Sequence, residues 1–252
     1  MKIAFAVLFI VVTFAGGSHA QSVNITARKV TYKRAGDVAD HKREFEVIYP
    51  VISSRNGSHV RRKILSNIDY WKVFDWSGND FSLTSEIEDG GWITNLYFDV
   101  KYNANNLLDI WLMMDGVGAY PDTATRHIVI DLRTGKKLKI SDLFKRSKLV
   151  LLRNAIRRKM KESEARLEGS EKEVLKFERE NGIYNDYHPS PENLQLKDLD
   201  GFSISNKGVT FLYDYGYPHV SQAIEPSGEF FMSFRQLKPF IRRDGLLARF
   251  IR

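Results

Sequence analysis

The feature that most constrains the fold is a stretch of period-two alternation. From Trp92 the even positions Trp92, Leu96, Phe98, Val100 and Tyr102 alternate with Asn95, Asp99 and Lys101. Side chains of a strand point to opposite faces in turn, so this pattern needs a sheet with one face buried. Asn103-Ala104-Asn105-Asn106 is a hairpin turn by composition, and Leu107 to Met114 reads as the returning strand. Arg43 to Val51 alternates in the same way, with Phe45, Val47, Tyr49 and Val51 on one face. Pro50 there marks a strand end or an edge.

Around this hairpin the chain mixes strands and helices. Val23 to Lys33, Arg126 to Leu132 and Lys137 to Ile140 read as strands, with a short strand at Phe81 to Ile87. Val60, Ile64, Ile68 and Trp71 fall at helical spacing, as do Leu149, Leu152, Ile156 and Met160 up to a stop at Gly169. Ser170 to Glu173 forms a capping box for a second helix ending at Asn181-Gly182. Phe202 to Ser205 and Val209 to Tyr213 form a hairpin, Phe230 to Phe234 is a last strand, and short helices close the chain. The class is α+β with mostly antiparallel sheets and packed helices in two adjoining lobes, residues 21–116 and 117–252.

Residues 1–20 have the pattern of a signal peptide. Lys2 precedes an apolar run from Ile3 to Phe14, and Ser18 and Ala20 are small residues placed for a cut before Gln21. The run is too short to span a bilayer, which takes roughly 20 apolar residues. The expected location is therefore the periplasm or the cell exterior, with no transmembrane segment in the mature chain. The sequence contains no cysteine, which rules out disulfides, thiolate catalysis and Cys-ligated zinc. Loss of Lys2 with the leader takes the net charge from +7 to +6. The basic and acidic residues are interspersed, as on a solvated surface, and nucleic acid is not an expected partner.

Asp115-Gly116-Val117-Gly118-Ala119-Tyr120, Ile130 to Lys136 with Ser141 to Phe144, and Phe202 through Phe211 to Tyr217 are together similar to the RsiV/PdaC-type extracytoplasmic domain. The segment Phe45 to Pro50 before a helix resembles the lobe that commonly precedes that domain. Such domains occur in a lysozyme-sensing anti-sigma factor, beside peptidoglycan deacetylases, and alone in exported proteins. The resemblance implies an envelope role and a glycan, peptidoglycan or envelope-protein partner, for instance a lysozyme-type enzyme. Tyr120 stands where the family often has histidine. Without a membrane span, the anti-sigma role is not expected.

Chemistry is thinly signalled. No His-x-x-x-His, His-Glu-x-x-His, nucleophile-elbow or phosphate-loop motif is present, so no metal, cofactor or catalytic residue is assigned. Asp109, Asp115 and Asp131 are weighed as an acid/base set, with Asp109 and Asp131 expected to point outward from strands. Aromatic loops carry the stronger signal. Tyr213, Tyr215, Tyr217 and His219 crowd one loop, Tyr184, Tyr187 and His188 another, and Tyr120 follows a glycine-rich turn. Tyrosine offers a flat apolar face with a polar tip, suited to a sugar ring or a protein surface. Tyr120, Tyr213, Tyr215, Tyr217 and His219 are the candidate binding residues, with at least two of Tyr213, Tyr215 and Tyr217 expected at the surface. The expected function is non-enzymatic binding in the envelope. The alternative is an envelope hydrolase or deacetylase using loop carboxylates and histidines. A surface acidic patch at Glu86, Glu88 and Asp89 is the feature that would favour a basic lysozyme-type partner.

Overall fold

The computed structural model describes residues 9–10, 22–35, 39, 42–53, 57–75, 81–88, 91–118, 120–166, 169, 172–173, 176, 180, 191–215 and 226–251. The chain divides into two compact units, Met1–Leu138 and Lys139–Arg252. It is α+β, as its patterning requires.

The first unit holds a sheet in sequential order: β1 (Phe9–Ile10), a two-residue strand inside the leader-patterned stretch, then β2 (Asn24–Lys33), β3 (Glu44–Ser53), β4 (Ile93–Ala104), β5 (Leu107–Val117), β6 (Pro121–Asp131) and β7 (Lys136–Lys137). Every pairing is antiparallel except β3 with β4, a parallel contact of two register pairs, Glu46 with Asn95 and Val47 with Leu96. Between these two strands lie α1 (Ser58–Asn67), α2 (Tyr70–Val73) and α3 (Leu83–Glu88). One sheet face supplies Phe45, Val47, Leu96, Leu108, Ile110, Leu112, Met114, Ile128 and Ile130 to a core completed by Ile64, Ile68, Tyr70 and Phe74 from the helical segment.

Several local expectations change for physical reasons. β3 runs through Pro50 to Ser53, because beyond Val47 the strand pairs only with β2, and proline's missing N–H is tolerated on the open side. Its buried set also shifts phase, from Phe45 and Val47 to Pro50 and Ile52. The β4–β5 turn is tighter than the four residues expected. Only Asn105 and Asn106 lie outside the strands, at φ 58° and 61°, the two positive angles of a type I′ turn. The segment Phe81 to Ile87 supplies helix α3 rather than a strand. The Ser82 hydroxyl accepts from the Ser85 amide at 3.1 Å, and the Glu86 amide donates to the Ser82 carbonyl at 3.0 Å. The expected lobe division after Gly116 falls inside β5, which pairs along its whole length with β6, so the division lies after Leu138.

The second unit has a three-stranded antiparallel sheet of β10 (Glu229–Ser233), β9 (Gly208–Leu212) and β8 (Phe202–Ile204), with β9 central. Its helices are α4 (Ile140–Leu143), α5 (Leu149–Glu164) and α6 (Phe234–Leu237). Leu152, Ile156 and Met160 form the buried stripe of α5. The Asp200 carboxylate accepts the Ile140 amide at 2.9 Å at the start of α4. Phe144 leaves α4 and meets Phe211 of β9 at a ring separation of 6.1 Å. The capping box expected at residues 170–173 and the helix end at 181–182 fall largely outside the described residues.

Candidate functional site

The glycine-rich turn after β5 is built by packing. A Cβ on Gly116 would fall 1.7 Å from the Trp92 ring, so only glycine lets that indole cover the strand. The Val117 amide donates to the Trp92 carbonyl at 2.8 Å, and the Gly118 amide to the Tyr120 carbonyl at 3.2 Å. The chain then reverses into β6 with Tyr120 at the tip, 66 % exposed. Beside this tip the Asp115 carboxylate accepts from the Tyr97 hydroxyl at 3.3 Å and from the Thr123 hydroxyl at 3.0 Å. Burial, then the Asp115 charge, raises the Tyr97 phenol above its ordinary range, so it stays a donor. The hairpin end thus carries an exposed aromatic ring and, two register pairs back from the Val117–Pro121 pair, a carboxylate holding two hydroxyl groups.

The other tyrosines lie in the second unit. The Tyr213 amide donates to the Gly228 carbonyl at 2.8 Å. A Cβ on Gly228 would lie 1.8 Å from the Tyr213 carbonyl oxygen, so glycine is what allows the backbone at 228 to approach Tyr213 this closely. Tyr213 is half-buried and meets Tyr215 edge to face, with ring centroids 5.1 Å apart. Burial, followed by the charges of Asp198 and Asp214, pushes the Tyr213 phenol up to about 12. Tyr215 is only 2 % exposed, so its ring belongs to the core and it is not one of the two surface tyrosines expected among Tyr213, Tyr215 and Tyr217. Tyr217 and His219 lie outside the described residues, as do Tyr184, Tyr187 and His188.

Of the three candidate carboxylates, Asp131 is bonded within a turn and Asp115 lies apart from Asp109. Asp109 and Asp131 are buried rather than outward, at 0 % and 5 % exposure. Asp131 accepts from the Arg133 amide at 3.0 Å, from the Arg133 guanidinium at 3.0 and 3.1 Å, and from the Thr134 hydroxyl at 3.3 Å. Both its oxygens are thereby committed to the turn. That turn places Gly135 at φ +72° against α1, where a Cβ would lie 2.7 Å from that of Lys63. Asp115 is six residues from Asp109 along β5, roughly 20 Å at strand rise. Glu86, expected on a surface patch, is 6 % exposed and paired with Arg34. No group of three or more metal-binding side chains is brought together among the described residues.

One arrangement had no sequence signal beyond residue type. Trp111 of β5 and His127 of β6 are register partners, their rings edge to face at 4.3 Å. The Lys101 ammonium sits 4.1 Å from the Trp111 ring centroid and pairs with Asp99. Burial, then the charges of Arg126 and Lys101, lowers the His127 pKa to about 4, so the imidazole is neutral near pH 7.

Two solved structures share this fold. A DUF3298-family protein from Bacteroides fragilis aligns with 92 % of this chain and 99 % of its own, with TM-score 0.58 and 11 % identity. A DUF3298-family protein from Pseudomonas aeruginosa aligns over 88 % of this chain and 96 % of its own, with TM-score 0.53 and 13 % identity. No protein-family model matches the sequence. No curated protein matches it either. The fold is thus that of these two DUF3298-family proteins.

Proposed function

We propose that the protein is an exported, non-enzymatic binding module of the cell envelope, of the RsiV/PdaC type, which recognises a glycan such as peptidoglycan or an envelope-associated protein. The observation that carries this reading is the β5–β6 tip. Tyr120 is exposed in a hairpin whose Gly116 is fixed under Trp92 and whose strands carry the Asp115, Tyr97 and Thr123 cluster. Tyr213, Tyr217 and His219 are the candidates of the second unit. The fold likeness supports the module, and the leader pattern supports export. Engagement of both Asp131 oxygens in a turn removes that one residue from the carboxylates a hydrolase could use to move a proton.

The test is sedimentation of the purified protein with cell-wall fractions and with isolated peptidoglycan. Tyr120→Ala is expected to weaken capture about tenfold, in line with loss of one exposed aromatic anchor worth about 1–3 kcal/mol. Unchanged capture by a folded Tyr120→Ala variant refutes the assignment of the tip. Release of sugar or acetate from the same fractions refutes the non-enzymatic reading.

A further inference from the structure

We infer that the second unit carries a docking surface for an anionic lipid bilayer. The segment Pro239 to Arg242 is joined to α4 and the turn after it: the Lys145 ammonium donates to the Pro239 carbonyl at 3.0 Å, the Lys145 amide to the Phe240 carbonyl at 2.8 Å, and the Arg242 amide to the Leu143 carbonyl at 3.1 Å. Two clefts share this seam. One, of about 430 Å³, is lined by Lys145, Arg146, Arg242 and Arg243, with Asp244 as its one acidic residue among the described residues. Asp244 is held by Arg242 at 2.8 Å. The other, of about 580 Å³, is lined by Lys148, Arg157, Arg158 and Lys161 and, among the described residues, by no carboxylate.

These cations are not all spent within the protein. Lys161 pairs with Glu192 at 2.6 Å, and Arg157 donates to the Glu192 and Leu194 carbonyls at 2.9 and 3.2 Å. Arg146, Lys148, Arg158 and Arg243 have no ion-pair partner among the described residues. The acidic residues of α5, Glu162 and Glu164, stand in its last turn, away from Arg146 and Lys148. The charge therefore collects at the start of α5.

Val150 and Leu151 decide what chemistry this charge meets. They are 50 % and 51 % exposed in the first turn of α5, immediately after Arg146 and Lys148. A soluble polyanion would be served by the cations alone. Exposed aliphatic side chains beside unpaired cations match a lipid surface, where the cations meet phosphate headgroups and the aliphatic groups enter the acyl boundary. This surface and the Tyr120 tip lie in different units and use different chemistry, so failure of either leaves the other standing.

The experiment is co-sedimentation of the exported protein with vesicles of phosphatidylcholine alone and of phosphatidylcholine with equimolar phosphatidylglycerol. Binding is expected only to the anionic vesicles and to fall with added salt. Arg146→Gln and Arg243→Gln should each weaken it about fivefold, the equivalent of one cation near an anionic surface. Val150→Ser with Leu151→Ser should also weaken it, with the salt dependence unchanged. Unaltered melting temperatures show that each variant is folded. Equal binding to neutral and anionic vesicles overturns the proposal. So does anionic binding that ignores the Val150 and Leu151 changes and is fully competed by soluble polyphosphate, which would identify a polyanion site instead.

Discussion

The buried ion pair of Arg34 and Glu86 ties the end of β2 to α3 and β4, and its removal is asymmetric. Arg34 follows β2, and its side chain is 1 % exposed against 7 % for Glu86. The guanidinium reaches the Glu86 carboxylate and donates to the carbonyls of Glu86 at 3.2 Å, Ile93 at 2.6 Å and Lys42 at 2.5 Å. The Glu86 carboxylate also accepts the Ile93 amide at 2.9 Å. Removing one partner of a buried pair costs about 3–5 kcal/mol, because the other charge is left uncompensated. Glu86→Ala leaves a cation that keeps three carbonyl partners, so about 3 kcal/mol is expected. Arg34→Met leaves both a carboxylate and three carbonyls short of a donor, so about 5 kcal/mol is expected. Arg34→Met with Glu86→Leu should recover part of this, because no charge is then stranded. Urea unfolding at neutral pH, followed by tryptophan fluorescence, isolates the effect, since every tryptophan of the sequence falls before residue 139, where the second unit begins. A double variant whose cost equals the sum of the single costs within about 0.5 kcal/mol refutes the coupling. So does a Glu86→Ala cost below about 1 kcal/mol.

Three further outcomes follow from the geometry. Gly116→Ala should lower stability by about 2 kcal/mol because its Cβ meets the Trp92 ring, while Gly118→Ala, with nothing within 4 Å, should stay within about 0.5 kcal/mol; paired melting curves check the contrast. His127, with a folded pKa lowered from 6.5 to about 4, takes up its proton more readily unfolded, so stability is fully present above about pH 6.5 and declines as pH falls toward 4. His127→Phe should flatten that window in urea midpoints measured across pH, and an NMR titration of the folded imidazole midpoint near 6.5 would refute the assignment. Asn106→Gly should raise the melting temperature, and Asn106→Val should cost about 1–2 kcal/mol, because the site holds φ 61°.

Where packing followed a local rule, the fold was legible in the residue order. The β4–β5 hairpin declared itself because alternate residues face one core, and the α5 stripe because Leu152, Ile156 and Met160 recur at helical spacing. What escaped depends on distant partners. Phe81 to Ile87 has strand-like composition, but Glu86 is secured by Arg34, 52 positions earlier. The run of residues 115–120 looks like a boundary for the same reason that it makes a sharp hairpin: glycine fits both. Tyr215 reads as a loop tyrosine, yet its burial depends on surroundings that composition does not encode. Tyr120 was legible as a candidate because a large ring after two turn glycines has few routes into a core. The basic clefts were not, since residues 145–161 and 239–243 meet only in the fold.

The two-pair parallel contact between β3 and β4 bears on how the first unit assembles. β2 with β3, and β4 with β5 and β6, are antiparallel hairpins whose strands are close in sequence, so each closes only a short loop. Joining them at Glu46–Val47 closes a far longer one, spanning α1, α2 and α3, for little ladder in return. The entropic barrier to folding therefore concentrates at that seam, while each hairpin remains a locally cooperative piece. The helices between β3 and β4 supply the apolar contacts that make the closure favourable, with Ile64, Ile68, Tyr70 and Phe74 the residues that join the two halves of the sheet through one core.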